Sequence, residues 1–285
     1  MLKQEMPAEG LNSEQEQSKA EIELAGKFWE DIAPTIKQKI SVLIREEMPF
    51  VYADEEMKQM YEEDFLNREE QFVKKTINKV QEVSESGKKI ALLLDIDGTI
   101  GAFRPDSQEL DKPERTVLRP SIVSLLEFIQ KNFIKNKVGF LTTRGRSALE
   151  KQLEDSWHLE LISSFVDQEF ILSTSKAEQI INEEFALSDS DASDMALFNS
   201  YKGKELKKYL EKQSCISKEL LPDTESEFNS NNLQIDKYGA RKLIILGKFH
   251  KQHPDLEIIA VDNCQFPVKY LKNGIYLTPD SQFSI

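Results

Sequence analysis

Lys88–Ile100 reads KKIALLLDIDGTI, and the fold class follows from this stretch. Ile90 to Leu94 is a continuous apolar run of strand length, the pattern of a central strand covered on both faces of a parallel sheet. The run ends abruptly in two carboxylates and a glycine. Ligands of open α/β sheets bind outside the carboxyl ends of the strands, so Asp95 and Asp97 are placed at the mouth of such a crevice. With one residue between them, Asp95 presents its side chain as the chain turns, and Asp97 approaches the same point from the loop. Gly98 permits a tight turn there, and Thr99 can hydrogen-bond locally to fix it. Two converging carboxylates repel unless a cation sits between them, and hard oxygen ligands of this kind suit Mg²⁺. The plainer alternative is a β-turn with a helix-capping aspartate, since Asp-Gly dipeptides are common turns. The coincidence of apolar strand, paired acids and Gly-Thr favours a site.

The 285-residue chain can bury a sizeable core, and its length fits one large domain or two smaller ones. No apolar run approaches the roughly 20 residues needed to span a bilayer. Met1 to Glu21 lacks an apolar core and a basic lead-in, so no conventional secretory signal is visible. With only Cys215 and Cys264 there is no disulfide framework, and a reducing, cytoplasmic setting is the expectation. A formal charge of −13 weighs against an extended nucleic-acid-binding face. It would also repel an anionic substrate at long range, so a metal and a few local cations must overcome it at the site.

Residues 1–21 read as a disordered acidic tail, and residues 22–87 as a helical segment. Ile22, Ala25, Phe28, Trp29 and Ile32 share one helical face, and Pro34 opens a second run with Ile36, Ile40, Leu43 and Ile44. A third, longer helix is predicted from about Asp54 to Val83, with Met57, Met60, Tyr61, Phe65, Phe72, Ile77 and Val80 at three- and four-residue steps. Such a stripe either packs on its own chain, the commoner case, or serves a protein partner or self-association.

Beyond the organising strand, Gly101 to Val117 reads as a loop or small flap, too short for a folded cap, and Pro120-Ser121 opens a helix. Val138 to Leu141, Glu169 to Leu172, Leu256 to Val261 and Gly274 to Leu277 read as further strands. Helices are expected at Lys176 to Ala186 and Met195 to Glu211, a capping loop at Ser188 to Asp194, and irregular chain at Leu221 to Asn232. The Val138–Leu141 strand stops at Thr142, where a hydroxyl and free amides suit a phosphoryl oxygen, or simply cap a helix. Arg144 and Arg146 follow and could reach a substrate. About 60 residues between Ser173 and Asp236 exceed an ordinary connection and are read as an insertion.

LLLDIDGT at Leu92–Thr99 resembles the first motif of the haloacid dehalogenase (HAD) superfamily of phosphatases and phosphotransferases. FLTTR at Phe140–Arg144 resembles the second, and LEIIAV ending in Asp262 resembles the fourth. The third motif is a lysine or arginine before the helix leading to the last catalytic strand. Lys237 is preferred for that role by its position at the helix start, with Lys242 and Lys248 as rivals. The sequence departs from the family where a second acid often accompanies the fourth motif, carrying Asn263 and Phe266 instead.

The resemblance covers about residues 88–280 and implies, for a catalytic domain at 88–285, an α/β fold, a doubly wound parallel sheet with the site at the strand ends, preceded by the helical segment. It implies a phosphatase that acts through an aspartyl phosphate, with Asp95 as nucleophile and Asp97 as acid and then base. Thr142 and Lys237 would bind phosphate. Mg²⁺ would be held by Asp95, Asp262 and the Asp97 main chain. A dehalogenase is disfavoured, since halide displacement needs no metal site. A nucleotide or nucleic-acid-end phosphatase, and an interaction protein acting through its N-terminal helices, are the remaining alternatives. The phosphorylated substrate could be small or macromolecular, and the short flap favours a large one.

Overall fold

The computed structural model describes residues 11–104, 115–133, 137–142, 162–173, 207–221, 237–278 and 281–283. Helix α1 spans Leu11–Glu47, α2 spans Pro49–Tyr52 and α3 spans Glu55–Glu85. Two expectations change here. Helix α1 begins inside the stretch read as a disordered tail, and it runs on through Pro34 rather than breaking there. A proline inside a helix removes one backbone bond and crowds the preceding turn. Here the turns on both sides are held by burial, with Ala25 and Trp29 before Pro34 and Ile36, Ile40 and Ile44 after it all in the core.

Helix α3 starts where the side chain of Asp54 accepts the amides of Glu56 and Met57, at 3.1 and 3.0 Å, and so satisfies two donors the helix leaves over. Its buried positions, Phe65, Glu69, Phe72, Thr76, Val80 and Val83, recur at three- and four-residue steps and face α1 and the sheet. The apolar stripe therefore packs on its own chain. Met60, 60% exposed, lies outside it, and Phe50 in α2 is 70% exposed.

Strand β1, Lys89–Leu94, is the centre of a five-stranded sheet with β4 (Lys137–Thr142), β5 (Ile171–Ser173), β6 (Leu256–Asp262) and β7 (Gly274–Tyr276). The order is β5-β4-β1-β6-β7 and every pairing is parallel. Alternate residues of β1 enter different cores. Ile90, Leu92 and Leu94 pack with α1, α3 and α4 (Ile122–Asn132), while Ala91 and Leu93 pack with α5 (Lys237–Gln252) and the short α6 (Gln265–Lys269). Burial on both faces accounts for the unbroken apolar run, each large side chain contributing on the order of 1.5–3 kcal/mol.

The stretch read as a loop after Asp97 has paired ends. Strands β2 (Gly101–Arg104) and β3 (Arg115–Leu118) form an antiparallel ladder, with Gly101 opposite Leu118. Strand β5 also starts later than read. Asp167 accepts the amide of Glu169 on its side chain and that of Phe170 on its carbonyl, which winds Gln168–Phe170 into a 3₁₀ turn first. Gly139 of β4 permits this turn to come close, since a Cβ there would lie 2.3 Å from the Phe170 carbonyl oxygen. Arg144, Arg146, Lys176–Ala186, Ser188–Asp194 and the bulk of the insertion lie outside the described residues.

A charged pair sits in the core between α3 and the sheet domain. Glu69 Oε1 lies 3.3 Å from Arg119 Nε, both side chains are wholly buried, and the other oxygen of Glu69 accepts the amide of Ser121 at 2.9 Å and its hydroxyl. Burial outweighs attraction on both partners. It pushes the Glu69 carboxyl above its ordinary value and pulls Arg119 down to about 10, which still leaves the arginine charged at neutral pH. Removing one member of such a pair strands a buried charge and costs about 3–5 kcal/mol, whereas replacing both is far cheaper. Arg119→Met should therefore destabilise the chain by several kcal/mol, and adding Glu69→Gln should restore at least half of the loss. A double-mutant cycle by denaturant unfolding checks this. Additive losses would show that the two side chains are not coupled.

Candidate active site

The order of the sheet sets the position of the site. From β1 the chain moves outward to β4 and β5, and then returns to the other side of β1 with β6. The carboxyl ends of β1 and β6 flank the point where the winding reverses, which is where open α/β sheets leave a crevice. Leu94 pairs with Val261, and the amide of Asp95 donates to the Val261 carbonyl at 3.0 Å. Asp95 and Asp262 therefore emerge side by side at the same height. Both are buried.

Lys242 joins them. Its Nζ donates to Asp95 Oδ1 at 2.8 Å and to Asp262 Oδ2 at 2.6 Å, and the residue is only 4% exposed. Burial alone would push Lys242 down, but the two carboxylates outweigh it and hold the ammonium protonated, above the usual lysine value. Asp95 moves the other way from an ordinary carboxylate. Burial pushes it up to about 7, with Asp262 and Asp97 adding to the rise and Lys242 opposing it. Two buried carboxyl groups thus share one ammonium, and Asp95 stands at the edge of protonation at neutral pH. Asp262 is further fixed by the Cys264 amide, which donates to Oδ1 at 2.7 Å.

The loop after β1 is closed by its own backbone. Gly98 donates to the Gly101 carbonyl at 2.8 Å, Gly101 donates to the Ile96 carbonyl at 3.0 Å, and Asp97 forms a bridge with Gly101. Gly98 adopts φ +75°, a conformation that favours glycine, and a Cβ there would stand 2.2 Å from Asn263 Nδ2. Asn263 thus packs against the turn that carries Asp97. Thr99 does not fix the turn as expected. Its hydroxyl is buried with no hydrogen-bond partner among the described residues.

Thr142 is the last residue of β4, two beyond the Phe140 that pairs with Leu94, and it is buried beside the site. Among the candidate lysines, Lys242 is the one brought to the carboxylates. Lys237 opens the same helix, with a side chain outside the described residues, and Lys248 is half-buried farther along. A signal for Lys242 is present in the sequence. Lys242 falls in step with Leu246 and Phe249 on the apolar face, and a charge on such a face has to meet a partner inside.

The residues can be tested against Mg²⁺. Among the described residues no three acidic, histidine or cysteine side chains gather as a ready-made metal cluster. Two buried carboxyl groups side by side offer the oxygen ligands a hard cation takes, and a main-chain carbonyl such as that of Asp97 would complete the protein's share. The fit therefore rests on Asp95 and Asp262 with main-chain help. Among the described residues no helix is long and apolar enough to cross a membrane. No protein-family model matches this chain, and neither does any curated protein or solved structure.

Proposed function

We propose that the chain is a Mg²⁺-dependent phosphatase that hydrolyses a phosphomonoester through an aspartyl phosphate on Asp95, on a doubly wound sheet of the HAD kind. The supporting observation is the Asp95–Lys242–Asp262 cluster, buried at the point where the sheet's winding reverses. Neither a capping aspartate nor a structural ion pair needs two parallel strands to deliver carboxylates at one height beside a buried lysine.

In this reading an Asp95 oxygen attacks phosphorus in line, and the bond to the ester oxygen breaks. Asp97, half-buried on the loop two residues beyond, gives its proton to the departing oxygen. It then takes a proton from water, whose oxygen attacks the aspartyl phosphate, and the bond from phosphorus to Asp95 breaks to release inorganic phosphate. Lys242 keeps Asp95 aimed and offsets charge, and the Thr142 hydroxyl holds a phosphoryl oxygen in the role first assigned to the Thr142–Lys237 pair. Mg²⁺, held by Asp95, Asp262 and the Asp97 carbonyl, would neutralise the phosphoryl oxygens when bound.

The rival reading, an interaction protein acting through its N-terminal helices, is weakened because the apolar stripes of α1 and α3 are consumed in the chain's own core. A reducing, cytoplasmic setting accords with Cys215 and Cys264, neither of which is in a disulfide. Turnover of p-nitrophenyl phosphate should require Mg²⁺, vanish in a chelator and return when the metal is restored. Sugar phosphates, nucleotides and phosphopeptides screened in parallel would define the substrate. Hydrolysis unaffected by chelation, or none across the whole set, would overturn the proposal.

A further inference from the structure

We infer that Phe283 is a positioning residue for the loop that carries Asp97, and that Leu277–Thr278 and Ser281–Phe283 act as a strap tying this loop to the helical segment. The strap leaves β7 by donating the Leu277 amide to the main-chain carbonyl of Asp262 at 2.9 Å. It ends by donating the Phe283 amide to the carbonyl of Gly98 at 2.8 Å. The same short segment therefore grips the backbone at both acidic ends of the site. Gly98 is the residue after Asp97, so displacing its carbonyl moves the aspartate.

The strap is anchored on its far side. Arg119 Nη2 donates to the Ser281 carbonyl at 2.6 Å, and the Arg119 amide donates to Ile100 of the loop at 2.9 Å. The guanidinium lies 4.1 Å from the centre of the Phe72 ring and 5.7 Å from that of Phe283. Phe283 itself is 2% exposed and packs on Phe65 of α3. The route from α3 to the catalytic loop thus runs through Glu69, Arg119, Phe72 and Phe283, all buried. The ring buried against α3 thus fixes the residue whose amide holds the turn directly after Asp97.

The inference rests on the phosphatase reading for its kinetic consequence, though not for its structural one. In the full chain, Phe283→Ala keeps the amide but removes the anchor. It should lower kcat roughly 10- to 100-fold, the range a displacement near 1 Å produces, and leave KM within about twofold. Peptides covering Ile96–Gly101 should exchange amide hydrogens at least about tenfold faster, while those of β1 and β6 stay unchanged. Phe283→Leu, which retains part of the apolar contact, should fall between Phe283→Ala and the parent on both measures. Acceleration spread evenly over β1, β6 and the loop, or none in the loop, would overturn the strap. If Phe283→Ala fails to fold, the same comparison of loop against strands in Phe283→Leu decides. A parent chain inactive on every phosphomonoester, yet showing loop-confined exchange, would sink the phosphatase reading and leave the strap standing.

Discussion

Asp95→Asn should abolish Mg²⁺-dependent phosphatase turnover, by several powers of ten, while leaving the chain folded. The amide is a poor nucleophile, and it also removes one of the two buried charges that would hold the metal. The stability consequence has the opposite sign. The parent Asp95 carboxylate is opposed by burial, by Asp262 and by Asp97, with Lys242 in its favour. A neutral amide of the same shape is spared that penalty, and Lys242 keeps Asp262 as its partner at 2.6 Å. In chelator the variant should therefore melt no lower than the parent. Steady-state kinetics and thermal denaturation measured on one preparation test both halves. Undiminished turnover would remove Asp95 from the chemistry, and a lower melting temperature would contradict the account of its burial.

Lys242→Met should lose on both measures. The ammonium bonds both Asp95 and Asp262, and without it two buried carboxyl groups lose the charge they share. Breaking a buried ion pair from one side costs about 3–5 kcal/mol, which for a chain of this size lowers the melting temperature by roughly 10 °C. Asp95 would be driven further above its ordinary value and would be protonated at neutral pH, so the nucleophile is lost along with its orientation. Turnover should fall by roughly 10² to 10⁴, a range that combines lost charge stabilisation with a mispositioned nucleophile. Lys242→Arg should not rescue it, since a planar fork cannot occupy the place of a compact ammonium at 4% exposure without displacing a neighbour. Combining Lys242→Met with Asp95→Asn should recover much of the stability and none of the activity. If Lys242→Met melted like the parent, the cluster would be a surface pair in solution and the site would need redrawing.

What the sequence determined by itself is local in origin. The apolar run at Ile90–Leu94 becomes a central strand because both its faces are covered. The abrupt acids after it mark a strand end, and LEIIAV followed by Asp262 repeats the pattern. The cap at Asp54 and the stripe of α3 follow from side chains three or four residues apart. The tertiary structure decided what depends on distant partners. Pro34 stays inside α1 because burial on both sides offsets a local cost that the sequence displays alone. Lys242 is brought to two carboxylates lying 147 and 20 residues away, partners that its own helix does not name. Asn263 against Gly98, Arg119 between Glu69 and Ser281, and the Phe283 amide on the Gly98 carbonyl are likewise long-range. Each joins groups whose local sequence reads as ordinary turn or surface, because a buried polar group is specified by the partner that compensates it and not by its neighbours along the chain.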